Sequence, residues 1–251
     1  MGQSLSFLGD NMSRLSVPYA SDLDFGTGDF TIEWYQYETV SRNHYRPFTR
    51  GSYVVGDNII AVSIEGNTFY FWSNFGVGAN FAIPSLLNQW VHFAIVRRSG
   101  ITTIFMNGIS QVSFADTVDY TSSLDLSIGD EPDFTDIQTA FVGYMYYFAW
   151  NKGYARYTAN FNPVPNDFPP VVASTILMLN VATAQGTLGS TVIRTNVDNV
   201  PYYPPPPPPN RPFYRMIGSM FSNNSVNYKP HSLSASIGST VRNSRAVARR
   251  T

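Results

Sequence analysis

Apolar and polar residues alternate with a period of two along most of the first 200 positions. In one such segment Phe30, Ile32 and Trp34 fall on one side, whereas Thr31 and Glu33 between them fall on the other. Successive side chains of a β-strand point to opposite faces, so this pattern predicts a strand with one buried face. Helical periodicity is almost absent, and we expect about a dozen short strands.

Turns that contain glycine separate the predicted strands. Asn107-Gly108 stands between the alternating segments 102–106 and 109–114. A type I′ turn needs positive φ at both central residues, which Asn and Gly adopt readily, so this is the strongest predicted hairpin. Glu65-Gly66-Asn67 and Arg98-Ser99-Gly100 predict two more. A body of roughly 200 residues buries about 70% of its extended surface, and two packed antiparallel sheets are the expected architecture.

Charge and proline content divide the chain near residue 200. Residues 1–200 hold nine Lys/Arg against seventeen Asp/Glu, a net charge of −8, whereas residues 201–251 hold seven Lys/Arg and no acid, a net charge of +7. Six consecutive prolines at 204–209 favour polyproline II, which cannot enter a sheet. We therefore predict a jelly-roll domain over 1–200, a polyproline linker over 201–212, and a basic, aromatic-containing extended tail over 213–251.

Composition removes several classes of protein. Cysteine is absent, which excludes a disulfide scaffold, a thiolate zinc site and a cysteine nucleophile. No apolar run approaches about 18 residues, and the N-terminus lacks a basic region followed by an apolar stretch. We therefore expect neither a membrane-spanning helix nor a secretory signal, and a protein that is made and used inside a cell. Met1-Gly2 with Ser6 matches the N-myristoylation pattern, which is short and loosely defined.

An ordered set of short motifs runs through the predicted domain. The set consists of Ser4–Gly9, Leu15–Pro18, Phe25–Trp34, Trp90–Arg97, Phe105–Gly108, Ile128–Gly129, Phe141–Tyr144 and Ala155–Phe161. In this order the motifs resemble the laminin-G and pentraxin-like branch of the concanavalin A-like jelly rolls, which is found in lectins and in many phage and virus structural proteins. The resemblance covers most of residues 3–181 and implies an all-β sandwich of two antiparallel sheets. It does not fix a function, because one fold hosts many sites.

The same resemblance implies a calcium site. Pentraxin-like proteins bind calcium between an Asp-Asn pair and a later Glu-x-Asp loop, and Asp57, Asn58, Glu131 and Asp133 are the counterparts here. Clustered oxygen ligands suit this hard cation. Pro132 stands where pentraxins have Gln, and their cysteine pair is missing. The alternative interpretation is that these are turn residues in solvent, chosen for turn geometry.

Catalysis is not expected. Some relatives on this fold are glucanases that carry Glu-x-Asp-x-x-Glu on a strand, and residues 131–136 resemble that motif superficially. Pro132 is disfavoured inside a central strand, and the last acid is the shorter Asp136. His92 is one of three histidines far apart in sequence, and we expect it to serve packing as a neutral ring with one hydrogen bond.

Aromatic residues offer a binding alternative. Tyr35, Tyr37, Tyr70 and Tyr146 are candidates for a surface on which sugar rings stack, because sugars present apolar faces. They are also expected as ordinary cross-strand pairs or as part of a protein interface.

The tail supports a role in assembly. A segment so rich in Pro, Ser, Asn and Arg does not fold alone, and its ordering depends on partners. Its last twelve residues resemble C-terminal segments of virion proteins of large DNA viruses of algae. The candidate partner-binding residues are Phe213, Tyr214, Phe221, Tyr228, Arg242, Arg245, Arg249 and Arg250.

Three functions follow from these features. We predict first a non-enzymatic virion component that is made in the host cytoplasm, a minor capsid protein whose tail joins neighbouring capsid subunits. A glycan-binding lectin module, with calcium as an optional ligand and no other cofactor, is the second. Contact of the tail with nucleic acid or a membrane surface is the third; the −8 body opposes nucleic acid, and no nucleic-acid-reading motif is present.

Overall fold

The computed structural model describes residues 3–10, 13–52, 58–74, 76–131, 139–163, 175–179, 193–195 and 197–201, with the backbone alone at residue 3 and from 175 onward. These residues form fifteen strands and one short 3-10 turn, Ser21–Leu23. The strands are β1 (Gln3–Leu8), β2 (Arg14–Val17), β3 (Phe30–Glu38), β4 (His44–Arg50), β5 (Ile60–Glu65), β6 (Thr68–Ser73), β7 (Gly76–Ala82), β8 (Trp90–Arg98), β9 (Ile101–Met106), β10 (Ile109–Ala115), β11 (Leu126–Ile128), β12 (Val142–Lys152), β13 (Thr175–Leu179), β14 (Ile193–Thr195) and β15 (Val197–Pro201).

The strands make two antiparallel sheets. The first sheet has the order β10-β9-β8-β3-β12-β1-β15, and β13 pairs with β12 beside this path. The second sheet has the order β14-β2-β11-β4-β5-β6-β7. The predicted all-β jelly-roll sandwich is confirmed. The predicted division at residue 200 stays a prediction, since the last described strand ends at Pro201, the first residue of the predicted linker, and residues 202–251 lie outside the described residues.

All three predicted hairpins are present. The turns Asn107-Gly108 and Ser99-Gly100 have φ of 49° and 75° each, the left-handed values that such tight connections require. The β5–β6 hairpin closes at Gly66, with φ of 58°. Local turn chemistry therefore sets the register of β5–β6 and of β8–β9–β10.

Aromatic rings dominate the core between the sheets. Trp34 of the first sheet lies 5.3 Å from Phe93 of the same sheet and 5.5 Å from Phe48 of the second, measured between ring centroids. All three side chains are fully buried. Such rings bury 150–250 Å² each and supply much of the hydrophobic stabilisation of a sandwich.

The prediction that β3 buries only one face was wrong. Phe30, Ile32 and Trp34 do face the core, but Thr31 and Glu33 on the opposite face are also buried. The reason is that residues 153–163 pass over this face, which the local pattern does not encode. Arg156 and Tyr157 of that segment both contact Glu33.

Candidate functional site

An aromatic pair lies on the outer face of the second sheet. Phe69 and Phe71 of β6 point into the core and are fully buried, so the alternation places Tyr70 and Trp72 on the opposite face. Both are half-buried. Their ring centroids are 6.1 Å apart and their planes are inclined by 29°. The two rings are therefore neighbours along one strand with nearly parallel planes.

Neighbouring polar groups fix the orientation of Trp72. Its indole Nε1 donates a hydrogen bond to Ser63 Oγ at 2.7 Å, and the Ser63 hydroxyl donates to Glu65 Oε1 at 2.8 Å. The guanidinium of Arg46 lies 5.5 Å from the centre of the indole ring, within cation–π range. These contacts hold the ring in place before any ligand arrives, which lowers the entropic cost of binding.

Of two carboxylates near this face, one is neutralised by an ion pair and the other is exposed. Arg46 forms an ion pair with Glu131, and both side chains are buried. Glu65 differs, because 37% of its side chain is exposed, and its Oε1 lies 3.8 Å from Nε2 of the His44 ring. Glu65 is thus a carboxylate of this face that is exposed enough to meet a ligand.

One side of the face is open. β7 ends the second sheet, and within the described ranges no strand pairs with its outer edge. Asn80 lies opposite Tyr70 in the β6–β7 register and is exposed, as are Gly78 and Ala82. We call the group Arg46, Ser63, Glu65, Tyr70, Trp72 and Asn80 the outer-face site.

Of the four tyrosines predicted as a stacking surface, only Tyr70 belongs to this site. Tyr35, Tyr37 and Tyr146 lie in the first sheet and are almost completely buried. Tyr35 and Tyr146 are cross-strand partners with ring centroids 5.9 Å apart, as the alternative interpretation predicted. Trp72 and Arg46 were missed, although the alternation of β6 already points Trp72 away from the core.

The two described members of the predicted calcium set lie far apart. Asn58 lies two residues before β5, close to the Arg50 end of β4, and its side chain donates to the carbonyl oxygen of Asp119. Glu131 contacts Arg46 near the other end of β4. The four residue steps between Arg46 and Arg50 span about 13 Å, so the structure does not bring the two side chains together.

The remaining predicted site residues are not placed. Asp57, Asp133, Gly2 and the eight predicted partner-binding residues of the tail lie outside the described residues. Within the described part of the chain, no three His, Cys, Asp or Glu side chains form a group that could hold a metal ion. No helix there is long and apolar enough to cross a membrane. Glu131, the first acid of the glucanase-like segment, is buried in its pair with Arg46.

A buried carboxylate lies on the outer face of the first sheet. Glu33 accepts a hydrogen bond from Tyr157 at 2.7 Å and pairs with Arg156 at 2.9 Å. His92 Nε2 is 3.4 Å from the same carboxylate, and the His92 ring packs 4.5 Å from that of Tyr35. His92 is therefore packed as predicted, but it also faces a carboxylate that the sequence did not reveal. The group is too buried to meet a ligand.

Fold and motifs agree with the comparison of this chain with protein families. The family model Laminin_G_3, of the concanavalin A-like lectin/glucanases superfamily, matches residues 11–152. The chain therefore belongs to this family. The comparison with curated proteins gives no match.

Two solved structures share the fold. A candidate carbohydrate binding protein of Bacteroides ovatus is 16% identical with a TM-score of 0.60, and the match covers 80% of this chain and 60% of that one. The native heptameric SAP-like pentraxin of Limulus polyphemus is 14% identical with a TM-score of 0.57, over 79% of this chain and 94% of that one. The chain thus spans less than two thirds of the length of the Bacteroides protein. At these identities the likeness concerns the fold alone.

Proposed function

We propose that this protein binds glycans through the outer-face site. The observation that carries the proposal is the Tyr70–Trp72 pair, half-buried and similarly oriented on the face of β6 that points away from the core. Aromatic faces stack against the apolar C–H faces of sugar rings. The carboxylate of Glu65 and the amide of Asn80 are placed to bind hydroxyl groups. A small number of polar groups that fix the orientation of a ligand is typical of a binding site.

The comparisons agree with this proposal without establishing it. A family that takes its name from lectins and glucanases includes the chain, and one structural relative is a candidate carbohydrate binding protein. We further propose a non-catalytic role, because Glu131 is buried in an ion pair rather than directed at a substrate. Release of reducing sugar from β-glucans, abolished by Glu131→Gln, would overturn that part.

A glycan array tests the function. The wild-type protein is expected to bind a subset of immobilised glycans, and Trp72→Ala is expected to lose this binding while remaining folded. Tyr154→Ala is the matched control, since Tyr154 is an exposed aromatic residue outside β6 with 38% exposure. Absence of binding by the wild type, or equal binding by Trp72→Ala, would contradict the proposal. Tyr70→Ala repeats the test if Trp72→Ala proves unstable.

Assembly into a virion is the second candidate, and the charge asymmetry of the sequence favours it. A body of −8 next to a tail of +7 suits head-to-tail contacts between copies or neighbours. The run of six prolines predicts a stiff polyproline II spacer about 19 Å long. Phe213–Phe221 would insert into a neighbour, and the four arginines from Arg242 to Arg250 would bind carboxylates on adjacent subunits.

Deletion of residues 210–251 tests this second candidate. The truncated chain is expected to stay folded and monomeric but to be absent from the particle. Replacing the four arginines with lysine is expected to weaken incorporation and make it salt-sensitive, because lysine lacks the bidentate geometry. Normal incorporation of the truncated chain would refute the proposed attachment of the tail to neighbouring subunits and leave glycan binding as the favoured function.

Calcium stays a proposal of its own. A ligand that binds only the native state raises the melting temperature, so millimolar calcium is expected to stabilise the protein if a site forms. No shift would remove the calcium hypothesis. Since Asn58 and Glu131 lie at opposite ends of β4, any stabilisation that both Asn58→Ala and Glu131→Gln abolish would contradict the placement described above.

A further inference from the structure

The outer-face site has the dimensions of more than one sugar. Tyr70 and Trp72 are two residues apart on β6, so their rings follow the direction of the strand rather than enclosing a point. Their centroid separation of 6.1 Å is close to the repeat of one sugar in a fully extended chain. Two sugars in succession can therefore each meet one ring. A compact helical glycan would turn away after the first contact.

The open edge at β7 lets a chain run past the aromatic pair. Gly78, Asn80 and Ala82 of β7 are exposed, and β7 is the last strand of the second sheet. A site for the end of a chain needs a wall that stops the next sugar. The described residues of β7 present small or polar side chains at this edge and supply no such wall.

The charge of the site selects against acidic sugars. Glu131 is neutralised by Arg46, so the exposed carboxylate of Glu65 sets the local charge. The body of the protein adds a net charge of −8 over residues 1–200. A carboxylate on the ligand would meet a like charge, which weakens binding at low salt and is screened at high salt.

From these three features we propose that the outer-face site binds two consecutive sugars within a neutral, extended, β-linked glycan chain. This inference rests on the proposed glycan binding and names its substrate class. Tyr70 and Trp72 are the two stacking positions, and Glu65 both binds hydroxyl groups and excludes anionic chains.

Isothermal titration separates the possibilities. The probes are mannose, the β-1,4-linked mannose disaccharide and hexasaccharide, the α-1,4-linked glucose hexasaccharide, and the β-1,4-linked mannuronate hexasaccharide. The mannose hexasaccharide is expected to bind at least about tenfold more tightly than mannose or the α-linked chain, a difference of about 1.4 kcal/mol. The mannuronate chain, which has the same linkage and added carboxylates, is expected to bind several-fold more weakly in low salt.

Variants assign each part of the selectivity. Tyr70→Ala and Trp72→Ala are each expected to remove most of the gain from mannose to the hexasaccharide, and Tyr154→Ala to change nothing. Glu65→Gln is expected to reduce the difference in affinity between the mannose and mannuronate chains, because only the charge is removed. High salt is expected to reduce the same difference by screening that charge.

The outcomes distinguish this inference from the function on which it rests. If none of these sugars binds and the glycan array also shows no binding, the proposed glycan binding itself is wrong. If the array is positive but mannose binds as tightly as the hexasaccharide, or the α-linked chain binds best, the extended-chain inference fails while glycan binding stands. Preference for the mannuronate chain would overturn the assigned role of Glu65.

Discussion

Arg156 Nε lies 2.9 Å from Glu33 Oε1, and this pair ties residues 153–163 to the outer face of the first sheet. Nine-tenths or more of each side chain is buried. Further along the segment, Tyr157 donates to the same carboxylate and Phe161 N–H donates to the carbonyl oxygen of Gly108 at 2.9 Å. The segment thereby covers the apolar group Ala94, Val96 and Phe105.

Replacing Glu33 is expected to be strongly destabilising. Glu33→Gln leaves the buried guanidinium of Arg156 without its counter-charge, and breaking one side of such a pair costs about 3 kcal/mol or more. Urea unfolding measures this loss in the free energy of unfolding. Glu65→Gln is the matched control, because that carboxylate is on an exposed site and its change is expected within about 0.5 kcal/mol. Equal stability of the two variants would contradict the role given to Glu33.

Two carboxyl groups on opposite faces of β3 have pKa values shifted in opposite directions. Burial alone would raise the pKa of Glu33, but the hydrogen bond and charge of His92 and the charge of Arg156 outweigh it and hold the pKa below its ordinary value of 4.5. Burial raises the pKa of Glu38 above 4.5, and hydrogen bonds from Tyr45 and Gln36 offset this only in part.

These shifts predict opposite dependences of stability on pH. Glu33 stabilises the native state above pH 4.5 and loses this effect as the pH falls through its lowered pKa. Glu38 favours the native state when protonated, so its contribution is lost as the pH rises from 4.5 through its raised pKa. The cost of Glu33→Gln is therefore expected to shrink from pH 7 to pH 3.5, whereas Glu38→Gln is expected to become more favourable relative to wild type as the pH rises. Parallel trends in unfolding experiments across this range would refute the assignment.

Gly108 and Gly66 allow a matched test of the contact with residues 153–163. Both close hairpins with positive φ, 75° and 58°, so alanine strains the backbone at each by about 1 kcal/mol. A Cβ at Gly108 would also lie 2.0 Å from the carbonyl oxygen of Phe161, whereas nothing lies within 4 Å of one at Gly66. Thermal unfolding is expected to show a clearly larger loss for Gly108→Ala than for Gly66→Ala. Equal losses would mean that Phe161 does not approach the turn.

The sequence predicted what depends on neighbours along the chain. The turns at Gly66, Gly100 and Gly108 follow from local backbone preferences, and the inner face of β3 follows from alternation. Burial of Glu33 depends on Arg156, more than 120 positions away, for which no local pattern exists. The burial of a charged side chain can be predicted only when its partner is known.

In the candidate site, too, the sequence predicts features set by neighbours along the chain but not those set by distant residues. The alternation of β6 was sufficient to place Trp72 beside Tyr70, but the hydrogen bond from Trp72 to Ser63 depends on the β5–β6 register. The motif resemblance predicted that Asn58 and Glu131 share an ion. Strand pairing places the Ile128 and Leu126 ends of β11 beside Phe48 and Arg50 of β4 respectively. The calcium site itself stays a prediction, since Asp57 and Asp133 lie outside the described residues. Spacing in sequence does not carry this information.

The indole N–H signals in an NMR titration test glycan binding at the outer-face site most directly. The chain has four tryptophans; the Nε1 of Trp34 donates to Gln36, that of Trp150 to the carbonyl oxygen of Leu23, and that of Trp72 to Ser63. Trp34, Trp90 and Trp150 are buried, whereas Trp72 is half-buried. On titration with the β-1,4-linked mannose hexasaccharide, we predict a saturable shift of the Trp72 indole signal, assigned through its loss in Trp72→Phe, while the Trp34 and Trp150 signals stay in place. A Trp72 signal that does not move while a glycan demonstrably binds would contradict the account.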